Sequence, residues 1–217
     1  MPAILYVLAL GAFALITTEL GIIGILPPIA AALGISIQKA GWLLSGFALT
    51  VALAGPWMVL LVARINRKTS LCCVLAVFVA SNIGSALAPN FGWLLAFRLL
   101  PAVVHPVFWS VAMTTAAQSV EKDRSAQAIS LVFAGMSAGI VLGIPIAAFV
   151  AGIADWRAAF LVFAILNLLG LLAHLFVLPS MPVERAPTTG DQVRILRRAM
   201  LWWNLAVQVA LLSLIHI

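Results

Sequence analysis

Glu19, Arg98 and His105 are the residues of this chain whose types and spacing could do chemistry. Glu19 is the only charged side chain in residues 1–38, which are otherwise almost wholly apolar. Inserting a carboxylate into the middle of such a span costs about 2.5–3.5 kcal/mol. A proton or a substrate is the usual reason to carry it. Arg98 lies seven residues into the apolar run that opens at Phe91, and His105 lies seven residues further on. Seven residues is two helical turns, so both fall on one face, with Phe108 and Trp109 following near it. A strip of cation, imidazole and aromatic rings facing an acid can hold a small polar or amphipathic solute. The acid and the imidazole can each also take up a proton. The same residues equally describe a structural buried pair, with His105 and the two rings as packing groups. Thr17, Thr18, Ser45, Thr50 and Asn82 are lesser candidates, able to hydrogen-bond between helices.

The elements that must position these groups are membrane helices. The chain is 65% hydrophobic and 8% charged, against about 25% charged in soluble domains. Runs of about 20 apolar residues suffice to cross a bilayer. Six occur, at roughly 4–29, 40–62, 69–88, 91–118, 129–152 and 158–179, and a seventh starts near 200. The first is too long for a signal peptide, lacks a basic start and contains Glu19. If spans one and four run in opposite directions, Glu19 and Arg98 lie roughly 15 and 11 Å below the same surface, at about 1.5 Å per residue. An ion pair between them is therefore expected if those spans adjoin.

The net charge of +6 records topology rather than a polyanionic partner such as nucleic acid. Arg64, Arg67 and Lys68 lie between spans two and three, Lys122 and Arg124 between four and five, and Arg185, Arg194, Arg197 and Arg198 after six. The opposite loops hold only Lys39 and Arg157. Basic loops face the cytoplasm, so the N-terminus is expected there. Cys72 and Cys73 are adjacent and imply neither a disulfide framework nor a metal site. No G-x-x-x-x-G-K-S/T loop is present, so nothing suggests ATP use. No cofactor is expected. The divisions are a six-helix bundle over 1–179, a polar cytoplasmic linker over 180–199 and a partial seventh span over 200–217. Residues 212–217 back-translate to a sequencing-library transposon end, so His216 enters no site.

Three local patterns occur in order. They are Arg64-Ile65-Asn66-Arg67-Lys68 after span two; Arg98 with Pro101, His105, Pro106, Phe108 and Trp109 in span four; and Gly135, Gly139, Gly143 and Pro145 in span five. The third ends in Asp155-Trp156-Arg157-Ala158-Ala159-Phe160. Together these resemble the major facilitator superfamily over residues 1 to about 205. Thr17-Thr18-Glu19 with Leu26-Pro27, and His105-Pro106-Val107-Phe108-Trp109, look like its twelve-helix drug:proton antiporter branch, close to bacterial sugar-efflux (arabinose-efflux-like) permeases.

The resemblance implies an all-α membrane protein of two six-helix bundles rocking around a central cavity, of which this chain supplies the first. It implies a bacterial inner-membrane exporter that exchanges a small molecule (sugar, drug or metabolite) for protons, with the bilayer and a missing C-terminal bundle as partners. Thr18, Glu19, Arg98, His105, Phe108 and Trp109 would line the cavity, and Glu19, Arg98 and His105 would couple to protons. Arg64, Asn66, Arg67 and Lys68 would form an inner-gate loop. That loop departs from the family pattern: Ala63 replaces an acid, and Val59 and Asn66 replace glycines. Plain positive-inside anchoring describes it as well.

The glycines of span five recur every four residues, which lets another helix approach closely, and Pro145 adds a kink point. The resemblance places that helix between the bundles. The stretch also matches G-x-S-x-G, with His174 in the next span, so a membrane serine hydrolase using Ser137 and His174 is an alternative. The motif lies inside a helix rather than at a strand-to-helix turn, which argues against catalysis. His174 is expected at the membrane interface. A non-transporting receptor or assembly factor is the third possibility.

Overall fold

A computed structural model of the protein describes residues 1–183. The rest of the expected linker and seventh span, 212–217 included, lies outside the described residues. Six helices among those described are long and apolar enough to cross a membrane.

Span one is α1 (Ala3–Gly21), a 3-10 turn (Ile22–Ile25) and α2 (Leu26–Leu33). Pro27 and Pro28 sit at the start of α2, where a missing N–H costs nothing. Gly34 ends it at φ 61°, a left-handed conformation that suits glycine. Span two is α3 (Ile37–Ala40) with α4 (Trp42–Val62), and span three is α5 (Arg67–Ala86). Spans four to six are α6 (Phe91–Gln118), α7 (Ser125–Ile153) and α8 (Trp156–Val177). Side-chain oxygens cap four starts. Ser36 accepts from the Lys39 N–H, Asn66 from Lys68, Asn90 from Trp93 and Asp155 from Ala158.

Spans one and five pack together, as do two and four, and three and six; one also packs on six, and three on four. Exchanging spans one-two-three for four-five-six maps this set of pairs onto itself. The largest helix contacts thus follow a three-helix exchange, although span five also packs on four and on six without counterparts of that size between spans one and two or two and three. No sequence repeat announces the exchange.

Two apolar cores fill the bundle. One, toward the basic loops, contains Leu5, Leu8, Phe78 and Phe108; the other contains Ile22, Ile29, Phe160 and Phe163. Between them in span one lies a polar layer at Thr17 and Thr18, both fully buried.

The glycine stripe of α7 packs on span one of the same bundle. A Cβ on Gly135 would lie 2.1 Å from the Ala9 carbonyl oxygen, and one on Gly139 would lie 2.9 Å from that of Phe13. Span one answers with its own glycines, since a Cβ on Gly24 would meet the Ile144 oxygen at 2.7 Å. Backbone contact within this bundle is thus what the glycines permit. Pro145 is exposed, on a helix whose outer face presents Val141 and Phe149.

Candidate functional site

Glu19 stands one turn before α1 gives way to the 3-10 turn. There the Ile22 N–H turns to the Leu20 oxygen, which opens the Thr18 carbonyl to another donor. Arg98 supplies it. Its guanidinium donates from Nη1 to Thr18 O at 3.1 Å and from Nη2 to Glu19 O at 3.0 Å. The side chain is fully buried and lies over the Phe47 ring, 4.9 Å from its centroid.

The expected Glu19–Arg98 ion pair is therefore not the direct contact. Spans one and four do adjoin, but the guanidinium fork takes main-chain oxygens and leaves the carboxylate free. The Glu19 carboxylate faces His105 instead, with Oε2 3.0 Å from Nε2. Glu19 is 22% exposed and His105 only 9%, whereas Arg98 is wholly buried; Oε2, the atom that meets His105, is itself buried. Trp109 donates its indole N–H to the same His105 Nε2 at 3.0 Å. Phe47 meets the imidazole edge-on at 5.6 Å, so one ring of span two touches both Arg98 and His105.

Behind these contacts Thr18 anchors a buried polar knot. Its hydroxyl donates to Ala14 O at 3.0 Å and accepts from Asn167 Nδ2 at 2.7 Å and Asn82 Nδ2 at 3.4 Å. Asn167 also donates to Phe163 O at 2.8 Å. The knot ties spans one, three and six at the depth of Glu19.

Of the six residues expected to line a cavity, Glu19, His105 and Trp109 form one partly buried cluster, with Arg98 behind it. Thr18 and Phe108 are fully buried in packing, Phe108 against His174 and Trp109. Sequence reasoning missed Asn167 and Phe47. The signal for Asn167 was present: it is the one amide in an otherwise apolar span six. Phe47 gave none, since aromatic residues are common in membrane helices.

His174 is fully buried rather than interfacial, with Nδ1 2.8 Å from Gly170 O. Ser137 is exposed, and no Ser137–His174 hydrogen bond occurs among the described residues. The loop residues lie at the basic end, away from the cluster. Asn66 donates to Ser180 Oγ at 2.8 Å, and Arg67 bonds the Gln118 side chain and donates its N–H to Met181 O. No group of three or more His, Cys, Asp or Glu that could hold a metal ion occurs among the described residues.

Residues 8–216 match the family model of the Major Facilitator Superfamily. The chain is 36% identical over 202 residues to an uncharacterised MFS-type transporter, YtbD, of Bacillus subtilis, covering 93% of this chain and 51% of that protein. It is 32% identical over 194 residues to the inner membrane transport protein YdhP of Escherichia coli, covering 89% and 50%. It is also 32% identical over 196 residues to a probable sugar efflux transporter of Helicobacter pylori, covering 90% and 50%. The chain thus spans about half the length of the curated relatives it matches. Among solved structures, a peptide transporter in complex with sulfate superposes with a TM-score of 0.77 at 16% identity, over 98% of this chain and 46% of that one. Six apolar helices in this arrangement, matched over almost their whole length, place the chain in the Major Facilitator Superfamily, as the N-terminal half of a transporter fold and not an enzyme.

Proposed function

We propose that this chain is the first bundle of a proton-coupled exporter of a small solute, with Glu19 and His105 as its proton site. One observation carries the reading: His105 Nε2 is contested. It lies 3.0 Å from the Glu19 carboxyl and 3.0 Å from the Trp109 indole nitrogen. An indole N–H only donates, and an ionised carboxylate only accepts. Nε2 cannot accept from Trp109 and donate to Glu19 at once.

Two states follow. With Glu19 ionised, Nε2 carries a proton and donates it to Oε2, so the Trp109 N–H is turned away and free to meet a solute. With Glu19 protonated, Nε2 is an acceptor, and Trp109 can dock on it. Nδ1 of His105 is buried without a partner among the described residues. With Nε2 an acceptor the neutral ring carries its proton on Nδ1, so the protonated-Glu19 state leaves one buried N–H unpaired. Proton uptake would then withdraw a solute donor, and solute binding would favour proton release. That reciprocity is what antiport requires.

Export, and a sugar-like or amphipathic solute, is supported by the sugar-efflux relatives and by the acid, imidazole and indole in one cluster. A cytoplasmic N-terminus is supported by the basic loops. The test is solute-driven proton movement in vesicles carrying a full-length form, with L-arabinose, lactose and ethidium as probes. Glu19→Gln should abolish the proton signal while leaving probe binding measurable. Undiminished proton-coupled efflux by Glu19→Gln would falsify the assignment.

A further inference from the structure

Two features at the basic end of the bundle lie side by side, away from the Glu19–His105 cluster. The first is a cavity of about 140 Å³ between spans two, three and four, lined by Met58, Val62, Cys73, Val77, Val104 and Val107. Apolar atoms alone line it. The second is the loop over residues 63–68, which carries Arg64, Arg67 and Lys68 and no acid.

Arg67 is committed to the Gln118 side chain and to Met181 O. Arg64 is exposed and Lys68 half-buried, and neither side chain has a hydrogen-bond or ion-pair partner among the described residues. Ile65, next to Arg64, and Thr69, next to Lys68, both line the cavity. Two cations without a partner among the described residues are therefore next in sequence to residues that line an apolar slot, where a membrane helix begins.

An occupant must satisfy both halves. The slot holds about five methylene groups, taking roughly 30 Å³ for each water-sized unit. That is a segment of one acyl chain. Two cations with no acid paired to them among the described residues complement a phosphate that carries no cation of its own. Basic residues next to membrane helices attract such headgroups. We propose that the slot between spans two, three and four binds an anionic phospholipid of the phosphatidylglycerol type, its acyl chain against Cys73 and Val104 and its phosphate on Arg64 and Lys68. The site is independent of Glu19 and of the transport reading.

Native mass spectrometry of the full chain, released from micelles containing dioleoyl phosphatidylglycerol or dioleoyl phosphatidylcholine, tests this. One phosphatidylglycerol should be retained, about 25-fold in preference to phosphatidylcholine, taking roughly fivefold for each cation at the surface. Arg64→Gln with Lys68→Gln should remove the preference while helicity stays unchanged. Cys73→Phe should fill the slot and reduce retention of both lipids; Cys73→Leu, a smaller change, should do so in part and guards against misfolding. Equal retention of the two lipids would overturn the proposal. So would unchanged retention in both Cys73 variants, complete competition by inorganic phosphate alone, or lipid-free dimers showing that a second copy covers the slot.

Discussion

Replacing Gly135 by alanine should separate spans one and five, and the structure gives the scale. The new Cβ would lie 2.1 Å from Ala9 O, 2.7 Å from its carbonyl carbon and 2.9 Å from its Cα. Ordinary contact begins at 3.4 Å, and every atom in the way is backbone, so no side chain can rotate clear. The helices must part by about 1 Å, which places the change at the upper end of the ~1–3 kcal/mol range for overpacking. Against that, alanine gains about 1 kcal/mol over glycine in helix propensity. The net is a loss of about 2 kcal/mol, roughly thirtyfold in the unfolding constant. Gly152→Ala is the control, because nothing lies within 4 Å of its Cβ position; Gly143→Ala is intermediate, with Thr17 Cα at 3.2 Å. Unfolding each variant with SDS in mixed micelles, followed by helicity, reads the difference. If Gly135→Ala and Gly152→Ala unfold within about 0.5 kcal/mol of each other, the backbone approach of α7 to α1 is not what holds this bundle.

Arg98→Ala should cost about 3 kcal/mol or more, because two main-chain carbonyls and the polar layer lose their donor; recovery of folded protein after solubilisation reads this. The exchange Glu19→Arg with Arg98→Glu should fail to fold, since a carboxylate at 98 cannot donate to Thr18 O and Glu19 O; a folded exchange variant would show that a side-chain ion pair is the true bond. Asn167→Leu should destabilise by about 0.6–1.7 kcal/mol, the span of hydrogen bonds between membrane helices, seen as a lower SDS midpoint. In a full-length form, Trp109→Phe should raise the KM of a transported probe about fivefold, one hydrogen bond's worth, with kcat unchanged; a fall in kcat alone would place Trp109 in the conformational step.

Much of the architecture was legible because apolar length and loop charge are one-dimensional signals. Spans expected at 91–118 and 40–62 are observed at Phe91–Gln118 and Ile37–Val62. Span three starts at Arg67 rather than 69 because Asn66 caps it, and span one runs on through α2 to Leu33 rather than 29. Heptad spacing put His105 on the face of Arg98, but depth matched Glu19 to Arg98 and set His105 two turns deeper, so the contact of Glu19 with His105 was not legible. Nor was the group that Arg98 would bind, because a main-chain oxygen has no letter in the sequence. That depended on the 3-10 turn after Gly21, a consequence of backbone geometry. The three-helix exchange was invisible for a similar reason. Only which helices touch is repeated, and almost any apolar residue can make those contacts.

The choice of partner by Arg98 has a consequence for how Glu19 can work. A carboxylate held by a buried guanidinium would lose its main bond on every protonation, and breaking a buried ion pair costs about 3–5 kcal/mol. Here the guanidinium holds Thr18 O and Glu19 O, which do not titrate. The Asn82–Thr18–Asn167 knot fixes the same turn of α1 from behind. The backbone of Glu19 is thus pinned by groups that keep their charge, while its partly exposed side chain turns its carboxyl to the His105 ring. The fixed cation still offsets the acid through the main chain. In the proposed cycle, a proton then comes and goes at Glu19 without loosening the joint between spans one and four, and the Trp109 donor one turn from His105 is what moves in response.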